Sequence, residues 1–133
     1  MTGCYKVLVA EDNIVNQKVI KGMLARLELD VDVVADGQAA VDAVCGTEYS
    51  AVIMDCQMPV LDGYEATAAI RQLVRDNKVK DLPIIALTAN AMIGDKEKCL
   101  DSGMDDFLPK PVTLETLGPM VRKWLEMNYP EDK

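Results

Sequence analysis

Two short apolar runs that each end in acid constrain this chain more than any other feature. Lys6-Val7-Leu8-Val9-Ala10 leads into Glu11-Asp12, and Ala51-Val52-Ile53-Met54 leads into Asp55. Apolar runs of this length without polar alternation read as strands buried on both faces, the pattern of a parallel sheet. If both are parallel strands, three carboxylates converge at one sheet edge. Crowded carboxylates repel and raise one another's pKa unless a cation neutralises them, so a bound divalent metal is expected there. A further strand-like stretch ends in Thr88 and another in Lys110, adding a hydroxyl and an ammonium to the same edge.

The remainder of the chain alternates apolar runs with stretches of helical period, the signature of βαβ units. The spacing predicts strands over Lys6 to Ala10, Val31 to Ala35, Ala51 to Met54, Pro83 to Leu87 and Asp106 to Leu108. It predicts helices near Ile14 to Leu27, Gly37 to Val44, Gly63 to Arg75, Met92 to Leu100 and Leu114 to Met127. The expected fold is α/β: a flavodoxin-like (βα)5 doubly wound parallel sheet of five strands in the order 2-1-3-4-5. The 133 residues suffice for one such domain, with a core over about residues 5–128.

Helix punctuation supports these boundaries. In the first helix Ile14, Val15, Val19, Ile20, Met23, Leu24 and Leu27 recur at three to four residues and form the expected buried stripe, leaving Gln17, Lys18, Lys21 and Arg26 for solvent. Asp36-Gly37 marks a turn, Ser102-Gly103 a C-terminal stop, and Thr113 an N-cap for the last helix. Pro119 removes one backbone donor, so that helix is expected either to kink or to begin after Gly118.

The formal charge of −8 argues against direct nucleic-acid contact, which Lys and Arg drive by neutralising phosphates. Cys4, Cys45, Cys56 and Cys99 have no CxxC spacing and the chain has no His, so reduced thiols are expected rather than zinc or a disulfide framework. No window approaches the ~20 apolar residues of a membrane span, and the N-terminus lacks the pattern of an export signal. A cytoplasmic domain without membrane contact of its own is expected, within a parent protein that can itself be membrane-attached.

In open parallel sheets ligands bind beyond the carboxyl ends of the strands where the connections reverse, which for this order lies between strands one and three. Mg²⁺ prefers a few protein oxygens plus waters; Asp12, Asp55 and the Gln57 backbone carbonyl suit it, with Glu11 completing the acidic pocket and Mn²⁺ an acceptable substitute. A carboxylate beside such a cation can attack phosphorus to give an acyl phosphate, and Asp55 is the best placed. Lys110 supplies a point charge for the phosphoryl oxygens and Thr88 a short donor. Lys110-Pro111 is a candidate cis peptide.

The segments Val9-Ala10-Glu11-Asp12-Asn13, Met54-Asp55-Cys56-Gln57-Met58-Pro59-Val60-Leu61-Asp62-Gly63, Ile85-Ala86-Leu87-Thr88-Ala89 and Phe107-Leu108-Pro109-Lys110-Pro111 together resemble the response-regulator receiver domain over essentially the whole chain. Asp-Cys-Gln-Met-Pro, Tyr64-Glu65-Ala66-Thr67 and Thr88-Ala89-Asn90-Ala91-Met92 are most similar to receivers of hybrid sensor histidine kinases. The resemblance implies a phosphorelay role without stand-alone turnover, beyond self-catalysed phosphorylation and autophosphatase activity. It implies Asp55 as phosphoacceptor, Glu11 and Asp12 as the metal pocket, Thr88 as switch hydroxyl, Lys110 as phosphoryl-binding lysine, and Phe107 as the aromatic that follows the switch. It further implies a phosphohistidine donor on a histidine kinase or histidine phosphotransfer domain. Output would pass through the face of the fourth helix, fifth strand and fifth helix, while the first helix meets the donor.

Taken singly, each residue has an ordinary reading: Glu11-Asp12 as helix-start acids, Lys110 as a solvated charge, Thr88 as a turn cap, Phe107 as core. Four strand ends that together deliver the parts of metal-assisted phosphoryl transfer outweigh those readings. The alternatives are an aspartyl-nucleophile phosphatase, whose Asp-x-Asp is absent at Asp55-Cys56-Gln57, a flavin module, whose phosphate Glu11-Asp12 would repel, and a phosphorylation-independent adaptor (a pseudo-receiver).

Overall fold

The computed structural model describes residues 5–88, 93–110 and 112–128. In it strands and helices alternate as β1 (Lys6–Ala10), α1 (Ile14–Arg26), β2 (Asp30–Val34), α2 (Gly37–Gly46), β3 (Ala51–Asp55), α3 (Gly63–Arg75), β4 (Ile84–Thr88), α4 (Ile93–Asp101), β5 (Asp106–Pro109) and α5 (Leu114–Asn128). The strands form one parallel sheet in the order β2-β1-β3-β4-β5, as the apolar runs imply. Asp55 and Thr88, expected just past their strands, close β3 and β4 instead, and β2 is set one residue earlier than expected.

Successive side chains of a strand point to opposite faces, and the central strands use both. Leu8, Ala10, Val52, Met54, Ile84 and Ala86 join α2, α3 and α4 residues in one core. Val7, Val9, Ala51, Ile53, Ile85 and Leu87 join α1 and α5 residues in the other. This is why β1, β3 and β4 carry no polar alternation. Each fully buried aliphatic side chain contributes roughly 1.5–3 kcal/mol of transfer free energy.

Helix termini follow from local side chains. The Asn13 side chain caps α1 by accepting from the Asn16 N–H, and the Asp36 carboxylate caps α2 by accepting from the Ala39 N–H. Asp62 and Glu65 form a reciprocal capping box that starts α3 directly after the β3 loop. Three helices end in the same way: Glu28, Asn77 and Gly103 take positive φ, while paired N–H groups return to the last-turn carbonyls of α1, α3 and α4.

The expected burial of the first helix is corrected. The apolar stripe of α1 is only partly buried: Ile20 and Leu24 enter the core, but Ile14, Val15 and Val19 are 65%, 68% and 44% exposed. Gln17, assigned to solvent, is half-buried and donates its side-chain amide to the Glu11 carbonyl at 2.6 Å. The last helix begins at Leu114, where its spacing predicts, rather than after Gly118, and carries Pro119 inside it. The carbonyl deprived of its N–H partner belongs to exposed Glu115, where water can replace it. Cys4, Asn90, Met92 and the Lys110-Pro111 peptide lie outside the described residues.

Candidate functional site

The sheet register delivers the acidic residues to one corner. Ala10 pairs with Met54, so Glu11 and Asp55 each follow directly beyond that pair on neighbouring strands. On the other side Asp55 pairs with Leu87, and Thr88, one step further, with Pro109. Glu11, Asp12 and Asp55 each present a carboxylate oxygen within 4.8 Å of the other two. With Asn13, Asn16, Gln57, Met58, Pro59 and Lys110 they line an open depression of about 560 Å³.

Burial divides the carboxylates by role. Glu11 is fully buried, Asp55 is 3% exposed, and Asp12 reaches solvent. The Asn13 N–H donates to Glu11 Oε2 at 3.1 Å, and the Gln57 N–H donates to Asp55 Oδ1 at 3.2 Å. Lys110 Nζ lies 2.9 Å from Asp55 Oδ2 and 3.2 Å from Glu11 Oε1. Glu11 Oε1 accepts no hydrogen bond among the described residues, leaving this ion pair as its support.

The resulting field is unbalanced. Burial raises the Glu11 carboxyl above its ordinary range, and neighbouring Asp55 pushes the same way; the Asn13 N–H and Lys110 only partly offset them. For Lys110 burial pulls downward, but the charges of Asp55 and Glu11 outweigh it and the ammonium is held above its usual pKa. One ammonium therefore faces two buried carboxylates with a third at the rim. Hard oxygen donors, surplus negative charge and an unsatisfied buried oxygen fit a divalent cation such as Mg²⁺.

Thr88 is buried at the end of β4, and its carbonyl accepts the Lys110 N–H at 2.8 Å, so the strand-four terminus and the lysine are held together. Phe107 is half-buried beside Ala86 and packs against the core on the α2, α3 and α4 side. Across the rim, Val60 is 78% exposed at φ 70°. A β-branched side chain held in the left-handed region costs about 1–3 kcal/mol. Glu11, Asp12, Asp55, Gln57, Thr88 and Lys110 are thus at the carboxyl edge of β1, β3, β4 or β5 or in the loop that follows it, whereas Phe107 lies within β5.

The sequence profile of the response regulator receiver domain matches residues 7–122. The chain belongs to the response regulator receiver family. This receiver is 44% identical over 132 residues to hybrid signal transduction histidine kinase I of Dictyostelium discoideum, an alignment covering 92% of the receiver but 8% of that protein. It is 42% identical over 119 residues to the sensor protein GacS of Pseudomonas syringae pv. syringae, covering 90% of the receiver and 13% of that protein. It thus spans only a small part of these relatives.

Solved structures agree. The receiver domain of sensor histidine kinase PA1611 from Pseudomonas aeruginosa PAO1, with a magnesium ion coordinated in its active site cleft, is 46% identical with a TM-score of 0.83, over 92% of this receiver and 98% of that chain. The receiver domain of the response regulator Ssk1 from Saccharomyces cerevisiae, in complex with the histidine phosphotransfer signaling protein Ypd1, gives a TM-score of 0.91 at 32% identity, over 99% and 96%.

Residues Asn16 and Gln17 join the site without having been singled out from the sequence. Their signal was their position one turn beyond Glu11-Asp12, where helical period assigned Gln17 to solvent and singled out nothing at Asn16.

Proposed function

We propose that this receiver accepts a phosphoryl group on Asp55 from a partner phosphohistidine in a Mg²⁺-dependent reaction, and that residues 1–133 act as one phosphorelay module of a hybrid sensor histidine kinase. The observation that carries the reading is the 4.8 Å convergence of Glu11, Asp12 and Asp55 with Lys110 bridging two of them. Mg²⁺, held by Asp12, Asp55 and the Gln57 carbonyl beside Glu11, would supply charge neutralisation at the attacking and transferring oxygens. Asp55 Oδ2 is the attacking oxygen, and the phosphorus–nitrogen bond to the donor imidazole breaks as the new acyl phosphate bond forms. Lys110 Nζ then turns from the carboxylate to the phosphoryl oxygens.

Thr88 moves toward those oxygens, Phe107 fills the vacated space, and the surface of α4, β5 and α5 changes for an output partner. The donor meets the first helix, whose Ile14 and Val15 are exposed and follow directly on Asn13 of the depression. The crowding of three carboxylates around one lysine favours the phosphoacceptor over the pseudo-receiver adaptor, which has no use for it, and Gln57 stands where an aspartyl phosphatase carries its second acid.

Asp55→Asn is expected to abolish acid- and base-labile labelling by a small phosphodonor while preserving the fold. Full labelling of that variant would remove the acceptor assignment.

A further inference from the structure

The chemistry described so far leaves two buried thiols unused. Cys56 follows the phosphoacceptor at the end of β3, Cys99 sits in α4, and their sulfurs lie 3.8 Å apart although the residues are 43 positions apart in the chain. Both are buried, at 4% and 0% exposure, and both are free thiols. Tyr64, from the first turn of α3, packs against the same core cluster that holds both cysteines. Lys98 lies over the Tyr64 ring with Nζ 4.4 Å from its centroid. Two thiols and a phenol from three elements therefore meet beneath a cation that belongs to the same helix as Cys99.

We infer that Cys56 and Cys99 form a reversible oxidation site, whose disulfide ties α4 to the end of β3. The sulfurs must close by roughly 1.8 Å to reach a bond of about 2.0 Å, a movement within the scale of a helix shift. The reaction balances with a peroxide as two-electron oxidant. One sulfur attacks a peroxide oxygen, the O–O bond breaks, and the departing hydroxide leaves as water with the first thiol proton. The second sulfur then attacks the resulting sulfenic sulfur, the S–O bond breaks, and that hydroxyl leaves as water with the second proton. A small dithiol reverses the step.

The same burial sets the rate. With both sulfurs buried, neither is open to an oxidant in the resting fold. Oxidation waits on opening of the Tyr64 and Lys98 cover, whereas exposed Cys45 reacts at once. The site thus reports excursions of α4 and, once oxidised, suppresses them. Restraint of the output face follows from this only if the phosphoacceptor reading holds; the disulfide itself does not depend on it.

The test uses the reduced full chain without any phosphodonor. After hydrogen peroxide, denaturation and alkylation, peptide mass spectrometry is expected to find Cys56 joined to Cys99, more slowly formed than Cys45 oxidation and reversed by dithiothreitol. Hydrogen exchange of the α4 amides over residues 93–101 is expected to slow about tenfold in the oxidised protein. In Cys99→Ser, and separately in Cys56→Ala, the crosslink and the slowing should both be absent. Recovery of Cys56 and Cys99 as alkylated thiols while Cys45 is oxidised would overturn the site, and a crosslink with unchanged α4 exchange would overturn its mechanical role.

Discussion

At the scale of single residues, the site is a problem of charge. Glu11 is sealed in the core edge, where its ionised form is disfavoured by lost hydration and by Asp55, and where Lys110 alone cannot balance two carboxylates. A divalent cation would remove that penalty, and Asp12 is the one carboxylate of the three that is exposed to solvent. Asp12→Asn keeps the shape and removes one charge. Mg²⁺ affinity in this variant is expected to fall by about tenfold or more, measured by titration calorimetry or Trp124 fluorescence, with little change in stability without metal. An unchanged titration would remove Asp12 from the ligand set.

Secondary-structure elements act here by holding strand ends against helix starts. Gly63 opens α3 where the chain turns back on β3: its N–H donates to the Cys56 carbonyl, and a Cβ at this position would lie 2.2 Å from the Asp55 carbonyl oxygen. Backbone atoms cannot rotate away as a side chain tip can. Gly63→Ala is therefore expected to cost about 3 kcal/mol of stability, read from the denaturant midpoint, and to displace Asp55 enough to slow its labelling. A midpoint equal to wild type would show that the loop yields freely. Much at this scale was legible beforehand, because strands buried on both faces leave continuous apolar runs and because Asp36 and Ser102-Gly103 punctuate helices by local chemistry. The α1 stripe was misread because periodicity counts apolar residues without knowing which of them a core covers. Ile14, Val15 and Val19 keep the helical spacing yet face outward. The Cys56 and Cys99 contact, and the Arg71 side chain that joins α3 to the Gly103 carbonyl, Leu82 carbonyl, Asp81 and Asp105, bridge positions too distant in sequence for any spacing to announce.

For the whole molecule, topology does the gathering. The order β2-β1-β3-β4-β5 reverses direction between β1 and β3, so the acids from two strand ends meet in the crevice there while β4 and β5 bring Thr88 and Lys110 alongside. With α1 and α5 over one face and α2, α3 and α4 over the other, both faces of the sheet beneath this corner are covered. Glu11, Asp12, Asp55, Thr88 and Lys110 were legible because each is tied to a strand end; their distances required the register, and Asn16 and Gln17, which lie in α1, were not singled out. The most direct test of the account is mass spectrometry of the wild-type chain after treatment with a small phosphodonor, with and without Mg²⁺. The account predicts a single phosphoryl group on the peptide containing Asp55, formed with Mg²⁺ and not formed when the metal is chelated before the phosphodonor is added. No adduct, an adduct on another residue, or equal labelling without metal would contradict it.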